Sequence, residues 1–77
     1  MAVGFVLINV APTKEKEVYE VLSKLEEVKE LHPLFGEYDL LAKVEVKSFE
    51  ELSEIVINKI RTTNGVTGTK TLTGARF

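Results

Sequence analysis

Residues 3–10 are apolar at nearly every position, and they alternate between two apolar sets: Val3, Phe5 and Leu7 on one side, Val6, Ile8 and Val10 on the other. That pattern predicts a central strand covered on both faces. Ala11-Pro12-Thr13 ends it, and Thr13 is the expected N-cap of a helix over about residues 14–25. In that helix Val18, Val21, Leu22 and Leu25 form the i, i+3, i+4, i+7 stripe of a face laid on a sheet. On its other side Lys16 pairs with Glu20 and Glu20 with Lys24, each pair worth a few tenths of a kcal/mol.

Residues 28–35 read as a second strand, and Pro33, which has no amide to donate, assigns it to a sheet edge. From 40 to 47, Leu40, Ala42, Val44 and Val46 face a core while Leu41, Lys43, Glu45 and Lys47 face away. Ser48-Phe49-Glu50-Glu51 then forms a capping box, with Ser48 as N-cap and Glu51 at the third helical position. The helix it opens is expected to bury Phe49, Leu52, Ile55, Val56 and Ile60 and to end near Asn64-Gly65, with Lys59 and Arg61 complementing its dipole. A Thr-rich strand follows from Val66 to about Thr73.

The order is β-α-β-β-α-β. Right-handed crossovers put both helices on the same face, which gives an α+β, ferredoxin-like arrangement of a four-stranded antiparallel sheet. The first and third strands are central in it, the second and fourth at the edges. One apolar face of the first strand is then left without helices. A second copy packing sheet to sheet is the expected cover, with Tyr19 and Ile57, which lie off their helical stripes, as further points of contact between subunits.

Seventy-seven residues make one domain. A chain this short buries only roughly 60% of its unfolded surface, and without Cys it has no disulfide or thiolate site to reinforce it. Oligomerisation is the natural source of further burial. With a net charge of −2 and Lys and Glu interspersed, there is no basic stripe for nucleic acid. No run approaches the roughly 18 apolar residues of a membrane span, and Met1-Ala2-Val3-Gly4 lacks the basic region of a signal peptide. A cytoplasmic, soluble protein is expected.

Two short motifs carry candidate chemistry. Gly36-Glu37-Tyr38-Asp39 lies between two strand-like runs, and Gly65-Val66 with Thr67, Thr69, Thr71 and Thr73 opens the last strand. The first has a plain reading as a hairpin loop, with Gly supplying positive φ and Asp an Asx-turn. Alternatively, Asp39, partly desolvated beside Leu40-Leu41, pairs a ligand ammonium, with Tyr38 as wall or donor. Thr is a good strand former, so the threonine series has a plain reading too. Yet four hydroxyls on one face make a poor apolar core; with the backbone around Gly65-Val66 they can receive a ligand carboxylate. His32 is the only histidine and has no metal-ligand spacing around it. No nucleophile sits beside a base, and no cofactor motif is visible.

Together the motifs resemble the C-terminal effector-binding (RAM) domain of the Lrp/AsnC, or feast/famine, transcription regulators. That domain has the same element order, a Gly-x-Tyr-Asp hairpin matched by Gly36-Glu37-Tyr38-Asp39, and a last strand opening Gly-Val with Thr-x-Thr, matched by Gly65-Val66 and Thr69-Lys70-Thr71. Leu40-Leu41-Ala42-Lys43-Val44 fits its third strand, so the resemblance spans nearly the whole chain. It implies a non-catalytic module that binds an amino-acid effector and forms homodimers that assemble into rings, commonly octamers. It also implies that Asp39 holds the α-ammonium, that Gly36, Tyr38, Gly65 and Val66 line the pocket, and that Thr69 and Thr71 contribute hydroxyls. No helix-turn-helix accompanies residues 1–77, so the resemblance is to the stand-alone form, acting through association with full-length Lrp/AsnC regulators and without direct nucleic-acid binding. Two stretches depart from the family pattern. Pro33-Leu34-Phe35 replaces the more usual Val-Thr and reshapes the pocket wall, and Gly74-Ala75-Arg76-Phe77 is less apolar than the usual end of the last strand.

Two other classes fit the same residues. One is a small dimeric ferredoxin-like enzyme, of monooxygenase or isomerase type, with Asn9 and His32 as its polar candidates facing one cavity. The other is a structural co-assembly protein whose oligomers ignore amino acids.

Overall fold

The computed structural model describes residues 1–74; Ala75–Phe77, where most of the departure from the family's last strand falls, lie outside the described residues. The elements are β1 (Ala2–Val10), α1 (Glu15–Ser23), β2 (Val28–Pro33), β3 (Leu40–Val46), α2 (Phe49–Ile55) and β4 (Val66–Thr73), with a π-helical turn, Val56–Ile60, continuing α2. The sheet order is β2-β3-β1-β4 and every pairing is antiparallel. This is the expected ferredoxin-like arrangement, with β1 and β3 central and Pro33 on an edge strand.

Register explains the core. Val6 lies opposite Ala42 and Ile8 opposite Leu40, which puts four apolar side chains in one block on the helix side. Val18 and Leu22 of α1, Leu52 of α2 and Ile60 close over that block, and all of these are buried. Fully burying such a side chain stabilises a fold by roughly 1.5–3 kcal/mol.

Several local expectations are corrected. Thr13 does not cap α1: it takes φ +73°, and the helix begins after Lys14 with no side-chain cap. The pairs Lys16–Glu20 and Glu20–Lys24 do not close within 4.0 Å; Lys14–Glu17, at 3.6 Å, is the ion pair of this helix. Val21 is 48% exposed, because Val18 and Leu22 form the line of α1 that meets the sheet and Val21 lies to one side of it. β2 stops at Pro33, which leaves Phe35 wholly exposed in the hairpin.

The capping box forms with a change of partner. Ser48 Oγ accepts from the N–H of Glu51 (3.2 Å), while Glu51 Oε2 accepts from the N–H of Lys47 (3.3 Å) rather than of Ser48. Phe49 is not buried. It stands in the first turn of α2 and, with Ile57 and the hydroxyl-bearing Thr71 and Thr73, lines an open groove of about 360 Å³ between α2 and β4.

The sheet face away from the helices carries an apolar band that no other element covers among the described residues. Leu7 lies opposite Leu41, and Phe5 opposite Leu72. Val3, Phe5 and Leu7 remain half-buried there, and Leu72 is exposed.

Candidate ligand site

The hairpin between β2 and β3 is closed by the N–H of Leu34, which donates to the carbonyl of Asp39 (2.8 Å), while Gly36 at φ +113° makes the turn. Asp39 is then joined to β1 twice. Its N–H donates to the carbonyl of Ile8 (2.9 Å), and its Oδ2 accepts from the N–H of Val10 (2.7 Å). The side chain thus extends the β1–β3 ladder one step past the last strand residue. Among the described residues no hydrogen bond uses Oδ1, so one oxygen is structural and the other remains available as an acceptor.

Gly65 begins the other motif at φ +104°. Its carbonyl accepts from the N–H of Ala11 (2.8 Å), and a Cβ built there would meet Val18 Cγ2 at 2.9 Å and Lys14 Cβ at 3.0 Å. The glycine is accounted for by this close approach of the β4 entry to α1. The N–H of Val66 already donates to the carbonyl of Thr63 (3.1 Å), so it is not a spare donor for a ligand carboxylate.

β4 then changes phase. Asn9 pairs with Gly68 and Val10 with Val66, so the register shift leaves Thr67 without a place in the threonine row. Thr69 and Thr71 lie opposite Ile8 and Val6, on the helix side of the sheet. The hydroxyls there are tolerated because β4 is an edge strand that the helices cover incompletely, and Thr71 and Thr73 remain exposed.

The expected ligand-binding residues therefore divide. Asp39 and Val66 flank Val10 from either side at one end of the sheet. Asp39 lines a groove of about 530 Å³ against α1, Thr69 and Val66 line another with Arg61, and Thr71 lines the α2–β4 groove. Gly36 projects into open space with nothing within 4 Å of a built Cβ, and Tyr38 is half-buried. Within one chain these residues do not converge on a single pocket.

In the Asp39 groove, α1 contributes Glu15, Lys16 and Tyr19, the hairpin Pro33, Leu34 and Phe35, and β3 Leu40. Sequence reading singled out Tyr19 as lying off the helical stripe, Pro33-Leu34-Phe35 as a pocket wall and Leu40 as apolar surroundings of Asp39, but gave no part in a site to Glu15 or Lys16. Only the fold shows that the first turn of α1 stands over the hairpin.

Asn9 and His32 share the open face of the sheet but sit on β1 and β2, with β3 between them. His32 Nε2 lies 3.0 Å from Glu30 Oε1, exposed. That contact and then Lys43 hold the Glu30 carboxyl below its ordinary value. Among the described residues no group of three His, Asp or Glu is placed to hold a metal ion, and no helix is long and apolar enough to cross a membrane.

Residues 3–73 match the model of the Lrp/AsnC ligand binding domain. An uncharacterized HTH-type transcriptional regulator of Pyrococcus furiosus is 42% identical over 72 residues, which cover 90% of this chain and 48% of that protein. The chain spans about half the length of the curated relatives it matches. Among solved structures, a protein from Thermus thermophilus superposes with a TM-score of 0.93 at 35% identity, covering 100% of this chain and 96% of that one. Escherichia coli AsnC gives 0.92 at 27% identity, over 99% of this chain and 52% of its own. A Neisseria meningitidis transcriptional regulator solved as an L-Met complex gives 0.88 at 18% identity, over 97% and 50%, a likeness of fold alone.

Proposed function

Since the chain belongs to the Lrp/AsnC ligand-binding domain family, we propose that it is a non-catalytic amino-acid-binding module that couples effector binding to assembly in transcriptional control. The observation that carries this reading is the family match over residues 3–73. The geometry supports it: Asp39 is fixed by its bond to Val10 and keeps one carboxylate oxygen for an ammonium. The L-Met complex of the Neisseria regulator, which shares the fold, is in keeping with an amino-acid effector.

The division of the motif residues among three grooves supports a site completed between subunits. Asp39 and Tyr38 act from one chain, while Thr69 and Thr71 with the Gly65-Val66 segment act from another. Gly36 lets the hairpin make its turn. A homodimer forms through the open sheet face, where Leu7, Leu41, Phe5 and Leu72 need cover, and dimers build a ring, commonly an octamer in this family. Ligand bound between subunits shifts the assembly equilibrium, because binding one state of an oligomer stabilises it by mass action. Output runs through association with related full-length regulators in the cytoplasm, and the module itself makes no direct contact with nucleic acid or membrane.

Calorimetry with the twenty amino acids on wild type and Asp39→Asn, paired with sedimentation with and without ligand, tests the reading. Binding by wild type with at least a tenfold loss in the variant is expected. No binding by wild type, or equal binding by both, rejects it. A size distribution that ignores a bound amino acid rejects the coupling to assembly.

A further inference from the structure

We infer that the groove between α1 and the β2–β3 hairpin selects an α-amino acid with an apolar side chain, and that Lys16 pairs its carboxylate. This rests on the amino-acid-binding reading above and names the ligand class that reading leaves open. The groove brings a carboxylate, an ammonium and an apolar wall to one concavity of about 530 Å³, within the usual range for a small-molecule site.

Each part is available for a ligand. Asp39 spends Oδ2 on the N–H of Val10, which orients the carboxylate and leaves Oδ1 as acceptor for an α-ammonium. A group held this way loses little freedom on binding. Lys16 has no carboxylate within 4.0 Å among the described residues, whereas Lys14, Lys43 and Lys59 are all paired. Of the lysines, Lys16 alone lines this groove.

The remainder of the wall decides the side chain. Tyr19, Leu34, Phe35 and Leu40 line the groove, with Tyr19 38% exposed and Phe35 fully so. Aromatic and aliphatic surface left open beside a polar pair gains from covering by an apolar side chain. Glu15 also lines the groove, which makes two carboxylates against one ammonium and disfavours an acidic ligand. A serine-sized ligand leaves the apolar wall uncovered.

Calorimetry at fixed ionic strength compares L-leucine, L-methionine and L-phenylalanine with L-serine, L-aspartate and L-lysine, and adds leucinamide, which lacks the carboxylate. The proteins are wild type, Lys16→Met and Leu34→Ser. The three apolar amino acids are expected to bind at least about tenfold tighter than the polar ones. Lys16→Met, which keeps the stem and removes the charge, should weaken leucine by about tenfold and leave leucinamide unchanged. Leu34→Ser should weaken all three apolar ligands. Tighter binding of lysine, serine or aspartate than of leucine overturns the inference, as does a Lys16→Met variant that weakens leucine and leucinamide equally or weakens neither. Binding of a polar amino acid that is lost in Asp39→Asn overturns this inference alone and leaves the amino-acid-binding reading standing. No binding by any amino acid overturns both.

Discussion

The carboxylate of Asp39 accepts the backbone N–H of Val10 at 2.7 Å, across 29 positions of sequence. The hairpin that carries the candidate ammonium site is thereby fastened to the central strand by the side chain that would meet the ligand. Asp39→Ala removes both functions together, whereas Asp39→Asn keeps an oxygen for the amide of Val10 and removes only the charge. In urea unfolding at fixed protein concentration, Asp39→Ala is expected to lose about 1–2 kcal/mol and Asp39→Asn distinctly less, since a hydrogen bond to a charged acceptor contributes about 1.5–3 kcal/mol when buried and less when partly exposed. Equal losses in the two variants would falsify the bond's structural role.

The two glycines with positive φ should respond differently to alanine. Gly36 meets nothing within 4 Å, so Gly36→Ala carries only the backbone cost of about 1–2 kcal/mol. Gly65→Ala carries that cost and also drives a methyl to 2.9 Å from Val18 and 3.0 Å from Lys14, adding roughly 1–3 kcal/mol of overpacking. Thermal melts of both variants, compared at one concentration, should rank Gly65→Ala clearly below Gly36→Ala. The reverse order would mean that β4 enters the fold without its close contact to α1.

The fold was legible because its signals were periodic and local. Alternation in residues 3–10 and 40–47 identified the two central strands, Pro33 marked an edge, and Ser48 with Glu51 marked a helix start. What misled were positions whose environment is decided by a distant element. Phe49 is on the expected stripe of α2 but stands over the threonine edge of the sheet, where no apolar floor waits for it. Val21 matched the helical period, yet it lies to one side of the Val18–Leu22 line that meets the sheet. Thr67 fell out of the threonine row because β4 shifts register against β1 between Asn9 and Val10, at Gly68, where the isolated glycine in the strand was the one available sign of a bulge. Of the candidate site, Asp39 and the glycines were visible as motifs, while Lys16 read as one more solvent charge until the fold placed it beside the hairpin.

The helix start at Ser48 can be tested alone. Its hydroxyl accepts from Glu51, and Glu51 returns a bond to Lys47, so the two residues satisfy two amides at an exposed helix end. Ser48→Ala is expected to lose about 1 kcal/mol and Ser48→Asp to lose little, because Asp caps as well and suits the helix dipole. Chemical unfolding of the pair checks it; a neutral Ser48→Ala would show that packing of Leu52 and Ile55 holds this end without the cap.

Acid should weaken the fold partly through Glu27. Its own backbone N–H and then Lys59, whose Nζ is 3.1 Å from Oε2, hold the carboxyl below the ordinary value of 4.5 against the effect of burial. Oε1 is buried with no hydrogen-bond partner among the described residues. A carboxyl depressed in the folded state binds fewer protons there than in the unfolded chain at the same pH. Its contribution is complete above about 4.5 and is lost as pH falls through the lower folded value. Glu27→Gln should be less stable than wild type near neutrality, and the gap should close as pH drops below 4.5. A gap that stays constant from pH 7 to pH 3 would assign the loss to packing instead.

The open sheet face offers the most direct test of assembly. Leu7 lies opposite Leu41 on one neighbour and Lys70 on the other, and its side chain points away from the helices, so a charge there leaves the buried block around Val6 and Ile8 untouched. If two copies pack these faces together, Leu7→Glu places a carboxylate in each half of the contact, and taking it out of water costs several kcal/mol that its cross-strand neighbour Lys70 only partly offsets. Sedimentation velocity should then show the variant shifted to monomer at concentrations where wild type is dimeric or larger, with far-UV circular dichroism still folded. Apolar burial supports this size of effect: Leu7, Phe5, Leu41 and Leu72 together form a band left uncovered among the described residues. A Leu7→Glu protein that keeps the wild-type oligomer would move the subunit contact to the helix side, where Val21, Phe49 and Ile57 are exposed.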